Sequence, residues 1–278
     1  MKTALVTGTS SGFGRGVVTG LLDRGWRVFA TLRRAEERTE IFADDKGRHG
    51  DRLVVLPLDV TREDDRVAAA RAVGGALDCL VNNAGYALFG ALEDATESQL
   101  RAQLEVNLVG AMLVTRALLP AVRAARGSVV NVSSVFGYCG FPLTTAYCAS
   151  KFGLEGFSEA LWHELRPHGA RVHLVEPGGH RTSFSSNVEW ARRPSAAYAG
   201  ATRGYRALFD RLRKKPGHSP DRVVSTIVGL ATRPSSTLRV PVGTDARAIT
   251  FLKRLPEALA LPAWGGAAQR MLANGGAP

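Results

Sequence analysis

Cysteine is scarce in this chain of 278 residues, which bears first on metal binding. The three cysteines, Cys79, Cys139 and Cys148, are odd in number and lack the paired spacing of a zinc site. The six histidines include no HExxH pair. We therefore expect no bound metal.

Lysine is also scarce, since only six of the 36 basic residues are lysines and the arginines are spread along the chain. The formal net charge of +11 would suit a nucleic-acid partner. However, the spread forms no binding stripe, and no nucleic-acid module signature is present. We expect no nucleic-acid partner; a positive field that attracts an anionic cofactor or substrate is the better interpretation.

Long apolar runs and a leader are missing as well. Met1 runs directly into the strand-like Thr3-Ala4-Leu5-Val6, without a charged and then apolar segment. No apolar run approaches the roughly 18 residues that span a bilayer. We expect a cytoplasmic protein with no integral membrane segment.

Short β-branched runs alternate with longer helical patterns, which favours βαβ units and a parallel sheet covered on both faces. The expected strands are 3–7, 27–31, 53–57, 78–82, 128–132, 171–175 and 238–242, and the expected helices are 13–24, 62–73, 97–124, 145–166 and 220–232. Thr61 and Thr96 precede acidic or amide residues and are predicted to cap two of these helices. The fold class is α/β: a Rossmann-type doubly wound parallel sheet of about seven strands flanked by helices, in one domain, 1–278.

The first strand ends in a glycine-rich segment, Thr7-Gly8-Thr9-Ser10-Ser11-Gly12-Phe13-Gly14. Glycines here let the chain turn tightly and let the backbone approach a pyrophosphate, which lies on the helix N-terminus. A glycine-rich turn without a ligand is the alternative. The position between the first strand and the first helix disfavours it.

The end of the second strand predicts which dinucleotide binds. An NAD enzyme carries an acid there for the ribose 2′-hydroxyl, but this chain has Leu32, Arg33 and Arg34. Leu32 cannot accept that hydrogen bond, whereas the planar guanidinium of Arg33 can pair with a 2′-phosphate. We therefore favour NADP(H) over NAD(H); the alternative is a pair of solvated surface arginines.

Two further strand ends carry candidate binding residues. Asp59 ends the third strand. It is interpreted as a ligand contact, and a turn residue or a helix cap is the alternative. Asn82-Asn83-Ala84-Gly85 ends the fourth strand, where small residues permit either close approach to a ligand or an ordinary turn.

Tyr147 and Lys151 are four residues apart in a helical pattern, so their side chains share one face. A free tyrosine titrates near pH ~10, and a cation one turn away favours the phenolate and lowers its pKa. The pair therefore suits proton transfer. Alone, it is as consistent with a structural pair of helical neighbours.

Several motifs in order carry a resemblance to a known family. Thr-Gly-x-x-x-Gly-x-Gly, Asn-Asn-Ala-Gly, Asn107, Ser134, Tyr-x-x-x-Lys and Pro177-Gly178 resemble the single-domain branch of the short-chain dehydrogenases/reductases, mainly over 1–182. The segments around Arg33 and Tyr147 further resemble the branch with 17β-hydroxysteroid and retinol dehydrogenases.

The resemblance implies four catalytic residues. Tyr147 exchanges a proton with the carbonyl oxygen, and Lys151 lowers the tyrosine pKa and holds the nicotinamide ribose. Ser134 hydrogen-bonds the carbonyl, and Asn107 bends its helix and holds a water that links Lys151 to solvent. A helix-packing amide is the alternative for Asn107.

The resemblance also implies the cofactor contacts, which lie at the strand ends. They are Gly8, Ser10, Ser11, Gly12, Phe13, Gly14, Arg33, Asp59, Val60, Asn83, Ala84, Gly85, Tyr147, Lys151, Pro177, Gly178 and Thr182. His180 departs from the family pattern and is interpreted as an exposed loop histidine rather than a substrate contact. Cys139 and Cys148 are expected to be packing groups.

The region 183–219 corresponds to the family's substrate lid. Its aromatic residues are candidates for an apolar pocket and its arginines for an anion contact, and the two alternatives stay open. The aromatic candidates are Phe184, Trp190, Tyr198, Tyr205 and Phe209, and the arginine candidates are Arg192, Arg193 and Arg203. The C-terminal extension 246–278 contains an amphipathic stretch, for which packing is favoured over a membrane contact. By the same resemblance, helices 97–124 and 145–166 form the subunit interface, which implies a homodimer or homotetramer.

The expected activity is NADP(H)-dependent interconversion of a ketone or aldehyde and an alcohol, on a lipophilic or secondary-metabolite small molecule. A non-catalytic dinucleotide-sensing protein on the same fold is the alternative. Intact Ser134, Tyr147 and Lys151 disfavour it. An epimerase or dehydratase of the extended branch shares Tyr-x-x-x-Lys, but its glycine spacing differs.

Overall fold

The structure is a computed structural model that describes residues 1–36, 39–180, 187–214, 219–253, 255–256, 258, 262 and 265–266. Its strands are β1 Thr3–Val6, β2 Arg27–Leu32, β3 Leu53–Pro57, β4 Cys79–Asn82, β5 Ala87–Phe89, β6 Ser128–Val132, β7 Arg171–Pro177, β8 Val188–Trp190 and β9 Arg239–Val242. Its helices are α1 Gly12–Leu22, α2 Ala43–His49, α3 Glu63–Val73, α4 Glu97–Leu104, α5 Gly110–Ala124, α6 Thr145–Leu165, α7 Ala199–Lys214, α8 Asp221–Thr232 and α9 Thr244–Leu252.

Seven of these strands form one parallel sheet in the order β3-β2-β1-β4-β6-β7-β9. The order reverses between β1 and β4, which are paired with Leu5 opposite Leu80. In an open α/β sheet, ligands bind outside the carboxyl ends of the strands at such a reversal. The predicted doubly wound α/β fold is confirmed, and all seven predicted strands are present.

The strands are apolar without alternation because helices cover both faces of the sheet. On one face α1 and α8 bury Val17, Leu21 and Ile227 against β1 and β2. On the other face α5 and α6 bury Leu118 and Leu161 against the opposite side chains of the same strands. The two clusters fix the sheet, so that the strand ends are held at one edge.

The two predicted helix caps have different outcomes. Thr96 caps α4 through a capping box with Gln99, as its sequence indicates. Thr61 does not cap α3, whose N-cap is Arg62 without a side-chain hydrogen bond. The Thr61 hydroxyl instead donates to Asp59 Oδ1 at 2.7 Å, because that carboxylate is nearer than the helix amides.

Several elements were not predicted. The strands β5 and β8 pair in parallel as a separate ribbon, with Leu88 opposite Glu189. Each has three residues, too few to show a pattern. The helices α2, α7 and α9 also lie outside the predicted set; α7 and β8 occupy the expected lid.

One helical stretch passes the length and composition test for crossing a membrane, among the residues described. Over an 18-residue window Glu97–Ala124 has a mean hydropathy of 1.4, so the expectation that no run approaches this length was too strong. Within the protein 44% of that window is buried. Val114 and Leu118 pack against the sheet there, as in the core helix of many proteins.

Candidate functional site

A cleft of about 1090 Å³ opens at the carboxyl edge of the sheet, where the strand order reverses. It is lined by the ends of β1 to β4, the start of α1 and the residues before and in β8. The predicted cofactor residues in its wall are Gly8, Ser10, Ser11, Gly12, Phe13, Arg33, Asp59, Val60, Asn83, Ala84 and Gly85. A volume of this size accommodates a large ligand.

The glycine loop lies against the loop that follows β4. Gly8 has φ +68°, and a Cβ built there would lie 2.7 Å from Ala84 Cα. A Cβ on Gly14 would lie 2.5 Å from both Gly8 O and Asn83 Nδ2. No side chain fits at either position, because two loops and a helix start meet there. Gly14 therefore serves this contact and does not line the cleft.

Thr7 and Asn83 join the same two loops by hydrogen bonds. Asn83 Nδ2 donates to Thr7 O at 3.0 Å and to Gly8 O at 2.9 Å. The Thr7 hydroxyl accepts from the Asn83 and Ala84 amides, each at 3.0 Å. Ser10, Ser11 and Gly12 at the start of α1 line the cleft, and the backbone amides of a helix start suit a phosphate group.

The cleft carries positive charge where β2 and β3 end. Arg33 and Arg34 follow β2, Arg62 follows β3, and all three line the wall and are exposed. Asp59 also lines it, and its Oδ1 accepts from the Thr61 amide at 3.0 Å. The turn interpretation of Asp59 is therefore confirmed, and the same residue faces the cleft.

The four predicted catalytic residues come together beside this edge. Ser134 follows β6, and its hydroxyl is hydrogen-bonded with Tyr147 on α6. Lys151 Nζ lies 5.8 Å from the centre of the Tyr147 ring and donates to Val132 O at 2.8 Å. All of these side chains are buried.

The predicted lowering of the tyrosine pKa is not observed. Burial raises the pKa of Tyr147, and the hydrogen bond from Ser134 opposes this only in part. Burial also lowers the pKa of Lys151 to about 8. The structure therefore overturns the expectation that the ammonium makes this phenol acidic, because desolvation is the larger effect.

Asn107 lies in a π-helical segment, Glu105–Val109, between α4 and α5. Its Nδ2 donates to Tyr86 O at 2.9 Å and to Ser150 Oγ at 3.3 Å, and its Oδ1 accepts from the Tyr86 amide at 3.1 Å. The helical stretch is thus interrupted at Asn107 by a π-helical segment. The amide fixes the backbone before β5 and touches the residue next to Lys151.

The turn after β7 packs against the start of α9. Gly179 N donates to Asp245 Oδ2 at 2.6 Å, and a Cβ on Gly178 would overlap the Asp245 carboxylate. His180 is half-buried and meets Phe13 edge-on at 6.0 Å between ring centres. The interpretation of His180 as an exposed loop histidine is therefore wrong. Pro177, Gly178, Tyr147 and Lys151 lie outside the wall of the cleft, and Thr182 lies outside the described residues.

An aromatic cluster packs against one side of the Tyr147 ring. Phe89 of β5 meets the rings of Tyr147, Trp190, Tyr205 and Phe209 edge-on, at 5.5 to 6.3 Å between centres. Three of the five aromatic lid candidates therefore share this cluster, whereas Tyr198 is 40% exposed. Phe184 lies outside the described residues.

Other residues of the cluster and of the cleft were not predicted. Phe136 and Phe141 pack beside Tyr147 and Tyr205, and Arg206 lies 4.3 Å above the Trp190 ring. The cleft wall further includes Arg34, Arg62, Asp65, Tyr86, Ala102, Val106, Asn187, Val188 and Glu189. Only the tertiary fold brings these segments together.

The lid arginines do not form a joint anion site. Arg192 pairs with Glu189 at 2.7 Å, and the Arg193 amide donates to Asp94 O at 2.8 Å. Arg203 is exposed on α7. The apolar interpretation of the lid therefore fits the described residues better.

Metal-ligating side chains do not cluster in the part of the chain that the structure describes. Cys139 and Cys148 are buried, and burial raises the pKa of Cys139 to about 12. A thiol with so high a pKa is a weak nucleophile, so Cys139 is a packing group. The buried Cys148 thiol contacts Cys139 O and the Thr144 hydroxyl.

Comparisons with known proteins agree with this geometry. A family model described as short chain dehydrogenase matches residues 2–192. An uncharacterized oxidoreductase, YusZ of Bacillus subtilis, is 37% identical over 262 residues, 91% of this chain and 92% of that protein. The 3-ketodihydrosphingosine reductase of Bacteroides thetaiotaomicron is 34% identical over 249 residues, 86% and 87% of the two chains.

Solved structures are similar over nearly the whole chain. A short-chain dehydrogenase from Streptomyces avermitilis has a TM-score of 0.81 at 34% identity, covering 97% of this chain and 99% of its own. One from Burkholderia cenocepacia, solved in complex with NADP, has a TM-score of 0.74 at 25% identity, covering 95% and 99%. The chain therefore belongs to the short-chain dehydrogenase family of oxidoreductases.

Proposed function

We propose that the protein reduces a carbonyl group with NADPH, with Tyr147 as the proton donor. The observation that carries this proposal is the buried, hydrogen-bonded pair of Tyr147 and Ser134 with Lys151 one turn further along α6. A phenol beside a hydroxyl at the carboxyl edge of the sheet can hold a carbonyl oxygen and protonate it.

The cleft fits a dinucleotide. The loop at Gly8 and Gly14 leaves room for no side chain, and the α1 amides behind it suit a pyrophosphate. When bound, the nicotinamide supplies hydride. The Burkholderia cenocepacia relative and a metagenomic relative at 29% identity were both solved with NADP, which supports the same choice here.

Side chains of the protein supply and position the proton that the carbonyl oxygen receives. Burial raises the pKa of Tyr147, so the phenol is protonated at neutral pH and carries the proton that a reduced carbonyl oxygen needs. Ser134 orients the phenol, and Lys151 supports it from the same helix face. Asn107 fixes the backbone around them.

The experiment that tests this is Tyr147→Phe, with Tyr198→Phe as control for loss of an exposed tyrosine hydroxyl. We expect Tyr147→Phe to lower the rate of NADPH oxidation with ketones by about 10²–10⁴-fold, the usual contribution of a general acid. NADPH affinity, measured by fluorescence, should change far less. Steady turnover by Tyr147→Phe would refute the assignment, and NADPH binding without any turnover by the wild type would favour a dinucleotide sensor.

The preference for NADPH over NADH rests on Arg33. Its guanidinium lines the cleft at the end of β2, where no acid stands to accept from a ribose 2′-hydroxyl. A charge-assisted bond of about 1.5–3 kcal/mol predicts that Arg33→Ala weakens NADPH binding about 10- to 100-fold. NADH binding should stay the same, as should both affinities in the exposed control Arg24→Ala. Equal affinity of the wild type for the two cofactors would contradict this reasoning.

The substrate proposal follows from the aromatic cluster. Phe89, Trp190, Tyr205 and Phe209 offer apolar ring faces beside Tyr147, which suits a lipophilic ketone or aldehyde. Two relatives are named for apolar substrates, the Bacteroides reductase and retinol dehydrogenase 7 of Mus musculus. The latter is 38% identical over 193 residues, which cover 66% of this chain and 58% of that protein. A ketone panel of rising chain length should show kcat/KM increasing with apolar length.

Assembly and location are proposals of the same kind. Leu104, Met112 and Phe152 are exposed apolar residues on the α4 to α6 helices. They support a homodimer or homotetramer through these helices, which light scattering after size exclusion tests. We further propose one catalytic domain over 1–278 and a cytoplasmic location.

A further inference from the structure

Two buried carboxyl groups lie behind the catalytic residues. Glu155 stands on α6 one turn after Lys151, and Glu176 stands on β7; their exposed fractions are 6% and 1%. The two carboxyl groups are in hydrogen-bonding contact with each other. Oε1 of each is buried, and the donors near them among the described residues are the Ser133 hydroxyl beside Glu155 and, at 3.8 Å, Arg239 Nε beside Glu176. A proton between the two groups would satisfy this contact, because two buried carboxylates repel one another.

Arg239 of β9 ties one member of the pair to the surface. Its Nε lies 3.0 Å from Glu155 Oε2 and 3.8 Å from Glu176 Oε1, and its Nη2 lies 2.7 Å from Glu159 Oε2. Glu155 thus receives the shorter ion pair and the hydrogen bond of Arg239 Nε, whereas Glu176 has only the longer ion pair. The negative charge of the pair is therefore favoured on Glu155, and the proton on Glu176.

Glu155 also faces the residues that carry the reaction. Lys151 donates to Val132 O at the end of β6, and Ser133 follows directly. A Cβ on Gly137 would lie 2.8 Å from Ser133 Oγ and 2.9 Å from Glu155 Cγ. The Glu155 side chain therefore packs inside the turn that holds Ser134, four residues from the buried ammonium.

We propose that Glu155 is a positioning residue for Lys151: its buried carboxylate holds Lys151 as an ammonium, and it stays ionised because Glu176 carries the one proton that the two carboxyl groups share. The catalytic meaning of this rests on the proposed function, which uses Lys151. The electrostatic relation itself requires neither cofactor nor substrate.

Burial raises the pKa of Glu155, and the hydrogen bonds from Ser133 and Arg239 together with the charges of Arg239 and Lys151 oppose this shift. Burial lowers the pKa of Lys151 to about 8, and Glu155 opposes this shift. Burial, and then the charge of Glu155, raises the pKa of Glu176 to about 8. The other groups around the pair are Arg239, Glu159 and Tyr138. Burial raises the pKa of Tyr138 to about 12, so it stays neutral over this range.

The direct test is the titration of Lys151 in the protein without ligands. Only six lysines are present, so lysine labelled with carbon-13 at Cε gives a sparse spectrum, and Lys151→Met identifies the signal. We expect the wild-type signal to titrate near pH 8. In Glu155→Gln the midpoint should fall by at least about one pH unit, because an opposite charge close by is lost.

Two matched variants separate electrostatics from packing. Glu159→Gln removes the exposed ion pair of Arg239 on the same helix and should leave the Lys151 midpoint in place. Glu155→Asp keeps the charge and should restore most of the wild-type value, while a purely structural role would not. An unchanged midpoint in Glu155→Gln, or an equal shift in Glu159→Gln, overturns the proposal.

The shared proton has its own test, which holds even if Glu155→Gln does not fold. A carboxyl with a raised folded pKa stabilises the protein at low pH, and this stability is lost as pH rises through the folded value. Relative to Glu176→Gln, the wild type should lose stability between about pH 4.5 and about pH 8 and then level off. Urea unfolding measures the difference in the free energy of unfolding between the wild type and Glu176→Gln. If this difference does not vary with pH, Glu176 carries no such proton. Absent ketone turnover by the wild type would affect the proposed function alone.

Discussion

Gly8→Ala examines the contact between the two loops that form the cleft. An L-residue at φ +68° costs about 1–2 kcal/mol, because its Cβ crowds the following carbonyl oxygen. The new Cβ would also lie 2.7 Å from Ala84 Cα, which is backbone and cannot rotate away. Overpacking of this kind costs about 1–3 kcal/mol more. We expect a loss of about 2–5 kcal/mol in the free energy of unfolding.

Gly47→Ala is the matched control for this prediction. Gly47 lies inside α2, and a Cβ there meets no atom within 4 Å. The same methyl group should therefore stabilise the helix by about 0.5–1 kcal/mol. Urea unfolding followed by circular dichroism measures both variants. A loss below about 1 kcal/mol in Gly8→Ala would refute the reasoning that backbone conformation and close approach require this glycine.

Two more predictions concern the lid and its support. Phe89→Ala removes the ring that contacts Tyr147 and the lid. We expect a loss of about 3–5 kcal/mol in the free energy of unfolding and faster amide exchange across α7. Unchanged exchange would mean that Phe89 does not anchor the lid. Thr96→Ala removes the capping box with Gln99 and should cost about 1 kcal/mol in urea unfolding. Thr96→Ser keeps the hydroxyl and should lose much less, unless the contribution comes from the methyl group.

Much of the fold was predictable because the sheet is buried on both faces. Strands such as Ser128–Val132 are short apolar runs between turn residues, and their ends then place Asn83 and Ser134 at one edge. The order of the motifs along the chain indicated the candidate catalytic residues, which the fold brings together.

What the sequence could not predict depends on distant segments. The direction of the Tyr147 pKa shift follows from burial by Phe89, which lies far away along the chain, and by Phe136, in the segment before α6. The Glu155 and Glu176 pair is invisible for the same reason, since α6 and β7 meet only in the folded protein. His180 looks like an ordinary loop residue until Phe13 is placed beside it.

The ribbon of β5 and β8 has a consequence for how such a protein can change its substrate. Its pairing uses backbone groups, and Gln99 Nε2 reinforces it by donating to Trp190 O at 3.0 Å. The other end of β5 leads back to Tyr86, whose backbone Asn107 holds. Side chains beyond this ribbon can therefore vary as long as they still pack against Phe89, while the path of its backbone cannot vary. We expect lids grafted from relatives to transfer selectivity without loss of turnover wherever the register of Val188–Trp190 is kept.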